Sequence, residues 1–303
     1  MNLIKKGGIL LPALLCTLLW GSAFPAVKTG YALFGIGEDV YSKLYFAGWR
    51  FMLAGAAVLL CALVSRQKIM PCRPLWKGIL LLGLVQTTLQ YVFFYIGLSH
   101  TTGVKGSVLT ATTTFLAVGL SHFLFPDDRM TSAKALGCVI GFAGVVMISM
   151  SSVDALGGGF SLTGEGFMLI SSAAAAGGAI ISKVVAKGES PMMVTGWQLF
   201  FGGAVLLIAG TLGGGRFAST SPQAFALLGY LIFLSAAAFS IWTWLLKKHP
   251  VGKVTVYNFL VPVFGSLMSG VVLHETVFTA RNMVSLILVC AGIVLVNRTA
   301  LRE

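Results

Sequence analysis

Ten times along this chain, about twenty residues pass with hardly a charge. The runs are 8–28, 44–64, 77–98, 104–124, 132–151, 165–184, 192–212, 224–246, 253–273 and 277–297. A bilayer crossing needs roughly 20 apolar residues, so each run fits one helical span. Only 10% of the residues are charged and 57% are hydrophobic, whereas a soluble domain carries about 25% charged residues. Too few charges remain to build a water-facing surface, and lipid is the expected solvent. A membrane β-barrel would show alternating strands of about ten residues instead. The expectation is an all-α integral membrane protein of ten transmembrane helices with short connections. The 37 glycines, many inside the runs, suit close helix approach in lipid.

The net charge of +12 invites a nucleic-acid reading, but its distribution argues against one. With both termini on the inner side, that side holds Lys5, Lys6, Arg66, Lys68, Arg73, Lys77, Arg129, Lys134, Lys183, Lys187, Lys247, Lys248, Lys253, Arg298 and Arg302. These are fifteen of the 21 basic residues. Short loops rich in Lys and Arg stay cytoplasmic, so the bias sets an orientation with both termini inside. It predicts a lipid bilayer as environment and no nucleic-acid partner. The start of the chain resembles a signal peptide, but its apolar run is long and has a counterpart in the second half. It is expected to be a retained first span. Cys16, Cys61, Cys138 and Cys290 fall in spans and Cys72 in a basic loop. Without metal-ligand spacing, each is expected to act as a small buried hydrophobe.

The chain also repeats itself. "GWRFMLAG" (48–55) and "GWQLFFGG" (196–203) lie 148 positions apart. At the same offset Lys105 meets Lys253, Thr110 meets Asn258, Asp127 meets Glu275, Thr131 meets Thr279 and Gly144 meets Gly292. "AGVVMI" (143–148) likewise falls on "AGIVLV" (291–296). The first span pairs at an offset of 155, where Lys28 meets Lys183. Two repeats follow, 8–151 and 162–298, each of five spans. Five is odd, so the second repeat enters from the opposite face and the repeats are inverted. Secondary transporters use this architecture, with the substrate near the midplane between repeats.

The quoted stretches, with "WGSAFPAVKTG" (20–30) and "LVPVFGSLMSGVVLHETVFTARNMVSLILVCAGIVLV" (260–296), resemble the drug/metabolite transporter superfamily in its two-domain EamA branch. The resemblance spans both repeats. It implies ten helices, a central cavity and export of small metabolites, often amino acids. Repeat 1 departs from the pattern: Thr114 stands where repeat 2 has Pro262, and "FPDD" (125–128) stands where "LHE" would be.

Eight residues are candidates for contact with a small-molecule substrate: Trp20, Arg50, Gln90, Tyr95, Thr110, Gln198, Trp242 and Asn258. Arg50 is costly within a span, about 2.5–3.5 kcal/mol at the bilayer centre. Either it faces a cavity, where it could grip a carboxylate bidentately, or it lies six residues into its run and snorkels to the headgroups. Its repeat mate Gln198 keeps a donor and loses the charge. Gln86 and Gln90 share a helix face at i, i+4, beside Tyr91 and Tyr95; interhelical hydrogen bonding is the alternative use of such amides. Thr110, Thr112, Thr113 and Thr114 face the same choice between a cavity and their own helix carbonyls. Asn258, the mate of Thr110, would stand on the opposite wall. Trp20 and Trp242 sit mid-span and need partners for their N–H groups. Kinks are expected at Pro25 and Pro262.

His122, Glu165 and Glu275 fall near span ends, so no carboxylate is expected at the midplane. Neither a Walker A motif, a nucleophilic triad nor a metal-ligand cluster is visible. No cofactor, no metal and no enzymatic activity are expected. The reading is a carrier of amino acids or related zwitterions by alternating access. Multidrug efflux, a channel and an intramembrane enzyme are its rivals, and monomer and homodimer both remain open.

Overall fold

The computed structural model describes residues 8–100, 103–149, 161–273 and 280–298. Among these residues all regular structure is helical. The helices run α1 (Leu10–Phe34), α2 (Val40–Val64), α3 (Leu75–Leu82), α4 (Gln90–Ser99), α5 (Gly103–Leu124) and α6 (Ser132–Ser149). Then come α7 (Phe167–Val185), α8 (Pro191–Leu212), α9 (Pro222–Lys248), α10 (Val251–Thr255), α11 (Leu260–Leu273) and α12 (Ala280–Arg298). A π turn over Gly83–Leu89 joins α3 to α4, and a 3₁₀ turn over Val256–Phe259 joins α10 to α11. Among the described residues six helical stretches are long and apolar enough to cross a membrane, and four shorter apolar helices accompany them.

Ends are set by caps that the apolar runs do not contain. Asp39 accepts hydrogen bonds from the N–H groups of Tyr41 and Ser42, at 3.2 and 2.8 Å, which satisfies donors at the start of α2. That helix therefore begins at Val40 and not at residue 44. Ser221 caps α9 through the Ala224 N–H, with Pro222 at its first position. Gly35, at φ 62°, ends α1 in the left-handed conformation that glycine adopts without strain.

The repeated octads explain the strongest packing in the molecule. Gly48 and Gly55 of α2 lie against the backbone of Leu207 and Phe200 in α8; Gly203 and Gly210 of α8 lie against Met52 and Tyr45. Rising numbers on one helix meet falling numbers on the other, so these repeat mates pack antiparallel, backbone to backbone. α6 and α12 do the same: Gly137 meets Val296 and Gly144 meets Ser285. The remaining neighbours also come in mated sets: α1 packs on α9 and α11, while α7 packs on α4 and α5. Exchanging the repeats maps each set onto the other.

Three expectations need correction. α1 runs unbroken through Pro25. At Pro262 the irregularity precedes the proline: the missing N–H frees the carbonyl of Asn258, and the turn there tightens to 3₁₀. Only Cys16 and Cys138 are buried; Cys61, Cys72 and Cys290 are exposed, so not every cysteine fills a core. Glu275 and the side chain of Lys105 lie outside the described residues.

One end of the bundle is tied by polar contacts. The buried Asp128 carboxylate accepts from Lys134 Nζ at 2.8 Å and from the Gly252 N–H at 2.8 Å. It thus joins the α5–α6 connection to the start of α10. Lys134 Nζ also donates to the Arg129 carbonyl at 2.8 Å. Beside it, Lys183 Nζ donates to the His249 carbonyl at 2.9 Å and lies over the Phe125 ring.

Candidate functional site

A cavity enclosing about 1130 Å³ of atom-free space, part of it open to solvent, lies between α1, α2, α4, α5, α7, α9 and the α10–α11 region. Its wall climbs to Leu98 near the end of α4, Val27 in the later half of α1 and Ser171 near the start of α7. At its floor are Trp242, Thr255 and Asn258. Below the floor a buried apolar layer that includes Val118, Leu245, Leu246 and Val254 closes the way toward Asp128. The lining thus reaches toward the Leu98 end of the bundle, and buried apolar side chains lie between the floor and Asp128.

Arg50 is the one charged residue on this wall among the described residues. Because α2 starts at Val40, Arg50 lies ten positions into a 25-residue helix, about 15 Å along it at 1.5 Å per residue. Its place on the wall inside the bundle, and not at the lipid-facing surface, argues against snorkelling. Arg50 is 2% exposed. Its Nε donates to Ser235 Oγ at 2.8 Å and its guanidinium lies 4.8 Å from the centre of the Phe51 ring. These contacts fix the side chain at the cavity wall.

Five other candidates share the wall: Trp20, Gln90, Thr110, Trp242 and Asn258. The two tryptophans meet edge to face at 4.8 Å. Several wall residues carry buried polar atoms without a partner among the described residues: Trp20 Nε1, Gln86 Oε1, Thr113 Oγ1 and Asn258 Oδ1. A buried unpaired group costs about 1–3 kcal/mol, so this set is suited to water or a ligand. Of the remaining threonines, Thr112 bonds its own helix at the Leu109 carbonyl, and Thr114 reaches the Thr255 carbonyl at 3.0 Å.

Tyr95 and Gln198 are not on the wall. Tyr95 is buried in the aromatic layer behind it, against Tyr31 and Tyr91. Gln198 is fully buried where α8 crosses the π turn, its Nε2 3.4 Å from Thr87 Oγ1. The pairs Arg50–Ser235 and Gln198–Thr87 are repeat mates throughout, since Thr87 and Ser235 are also 148 apart. Sequence reasoning missed Ser235, Ser171 and Ser172. Ser171 and Ser172 line the cavity while donating to the carbonyls of Gln90 and Leu109, both at 2.9 Å. The Ser235 offset to Thr87 was the available signal. The π turn that carries Gln86 was missed as well, because its sequence reads as ordinary helix. Such turns are frequent at functional sites.

Residues 7–150 and 162–298 match the EamA-like transporter family, one repeat each. The chain belongs to the EamA-like transporter family. A chloroplastic WAT1-related protein of Arabidopsis thaliana is 28% identical over 92% of this chain, which spans 66% of that protein. The uncharacterized transporter YvbV of Bacillus subtilis is 29% identical over 92% of this chain and 88% of its own length. The uncharacterized inner membrane transporter YedA of Escherichia coli is 26% identical over 83% and 78%. A crystal structure of a protein at 17% identity superposes with a TM-score of 0.79 over 97% of this chain and 98% of its own, which shows a shared fold. This EamA-like chain is thus a multi-pass membrane transporter.

Proposed function

We propose that this transporter carries small zwitterionic or anionic metabolites, amino acids or close relatives, by alternating access between two inverted five-helix repeats. In this reading ten helices cross the membrane and both termini are cytoplasmic. The fifteen basic residues then lie inside, and the cavity opens outward, away from the polar tie at Asp128. The observation that carries the substrate class is the charge of the wall. One buried guanidinium lines the cavity and no acidic residue does, among the described residues. A carboxylate can pair with Arg50 bidentately. The unpartnered amide oxygens of Gln86 and Asn258 can accept from an ammonium group, and the aromatic floor suits an apolar side chain. A cationic drug would meet the Arg50 charge with no carboxylate to offset it.

Export rests on the family resemblance alone. The cavity is built within one chain, so the mechanism needs no second copy. Melting temperatures of the purified protein, measured against zwitterionic metabolites and against lipophilic cations, test the reading. A ligand that binds only the folded state stabilises it by RT ln(1 + [L]/Kd), about 2.7 kcal/mol at a hundredfold excess over Kd. Stabilisation by zwitterions and not by cations is expected. The reverse order would favour drug efflux.

A further inference from the structure

We propose that Cys16, Ser182 and Gln198 form the wall of a second, inward-facing cavity, in which a neutral amide takes the place of the Arg50 cation. The inference rests on the carrier reading above. Inverted repeats generate two access states when each repeat takes up the conformation of the other. A residue lining the outward cavity then yields its station to its repeat mate.

The present wall already shows which stations persist. Trp20 with Ala175, Phe94 with Trp242, and Thr110 with Asn258 are mate pairs whose two members both line the cavity. They straddle the axis that relates the repeats. Ser171, Val27 and Arg50 line it alone. Their mates are Cys16 and Ser182, at the offset of 155, and Gln198, at 148. All three mates are buried, at 0%, 1% and 0% exposure. Two of them hold polar atoms with no partner among the described residues, Ser182 Oγ and Gln198 Oε1.

Such atoms are costly in a dry interior, and no described residue compensates them here. Water or cargo in an inward-facing cavity would. Depth agrees: Cys16 lies six positions into α1, about 9 Å from its inner end, as a residue on an inner vestibule must. The hydrogen bonds agree too. Gln198 holds Thr87 as Arg50 holds Ser235, so Gln198 is the occluded form of the Arg50 station. A cargo carboxylate therefore meets a cation from outside and an amide from inside.

Cys16 makes the wall testable in the full-length protein. Right-side-out and inside-out vesicles are treated with impermeant methanethiosulfonates, the anionic ethylsulfonate and the cationic ethyltrimethylammonium. Modification is read residue by residue by mass spectrometry. Native Cys16 is expected to react from the inner face only, and a Ser171→Cys variant from the outer face only. A unit charge roughly 10 Å away in a water-like medium changes a reaction rate about twofold in each direction. The anionic reagent is thus expected to win about fourfold at position 171, with that preference lost in Arg50→Gln. No preference is expected at Cys16 until Gln198→Arg supplies one. Cys16 unreactive from inside while position 171 reacts from outside would overturn the inference and leave the outward cavity standing. An Arg50-dependent preference at Cys16 would overturn it as well. Failure of position 171 to react from outside would remove the carrier reading itself.

Discussion

Replacing Gly203 by Ala tests whether the octad glycines hold the repeats together. A Cβ at Gly203 would fall against the Met52 backbone nitrogen, with the Phe51 carbonyl carbon at 2.8 Å and the Met52 Cα at 2.9 Å. Carbon atoms pack at about 3.5–4.0 Å, so α2 must withdraw by roughly 1 Å. The obstacle is backbone, which no rotamer change relieves. Overpacking of this kind costs about 1–3 kcal/mol, against a helix-propensity gain of about 0.8–1.0 kcal/mol for Gly→Ala. The net expectation is a loss of up to about 2 kcal/mol. Gly229→Ala is the control, because its Cβ would meet nothing within 4 Å and only the propensity gain remains. Thermal unfolding in detergent, at matched protein concentration, is the assay. At about 2–4 °C per kcal/mol, Gly203→Ala melts several degrees lower and Gly229→Ala slightly higher. Melting of Gly203→Ala as high as that of Gly229→Ala would refute the close antiparallel crossing of α2 and α8.

Asp128→Ala leaves Lys134 buried without its partner, a change that costs about 3–5 kcal/mol in comparable pairs; because the same carboxylate ties Gly252, reagent access to Cys16 from inside is expected to rise, and unchanged melting and access would refute the tie. Burial and the charges of Lys248, Lys253 and Lys183 hold His249 below the usual histidine range. The unfolded chain therefore binds more protons there than the folded one, so stability falls as pH drops through about 6.5; His249→Gln is expected to flatten the melting profile between about pH 7 and 5, and an unaltered slope would contradict this. Cys72, exposed in the basic α2–α3 connection, is expected to label in intact cells only after permeabilisation, and labelling without it would invert the topology.

Six of the ten expected spans appear as helices long and apolar enough to cross a membrane, among the described residues, because in lipid the length of an apolar run is itself the signal. Helix starts could not be read this way where the cap is polar and lies outside the run, as Asp39 does. At α2 it was burial between helices, which the run does not show, that placed Arg50 inside the bundle. Candidates chosen by a shared helix face fared unevenly for a related reason. A face shows which residues can meet, but which helix covers it is set by packing. Gln90 reached the cavity, while Tyr95, five positions on, is buried in the aromatic layer behind it. Gln198 kept the hydroxyl partner of its mate and not its place on the cavity wall. The polar stations Ser171 and Ser235 sit among alanines and leucines. Nothing in their local sequence separates them from serines that merely bond their own helix.

The substrate claim depends on one side chain, and one measurement bears on it most directly. A zwitterionic ligand found by thermal stabilisation is titrated against wild type, Arg50→Gln and Arg50→Lys, with apo melting recorded for each. Gln already serves at the mate station, bonded to a hydroxyl as Arg50 is, so Arg50→Gln is expected to fold and melt close to wild type. Charge-assisted hydrogen bonds contribute about 1.5–3 kcal/mol, which at 1.4 kcal/mol per decade predicts a tenfold to hundredfold weaker Kd. Arg50→Lys is expected to recover only part of it, since an ammonium lacks the planar fork. Wild-type affinity in Arg50→Gln would contradict the assignment of Arg50 to the cargo carboxylate.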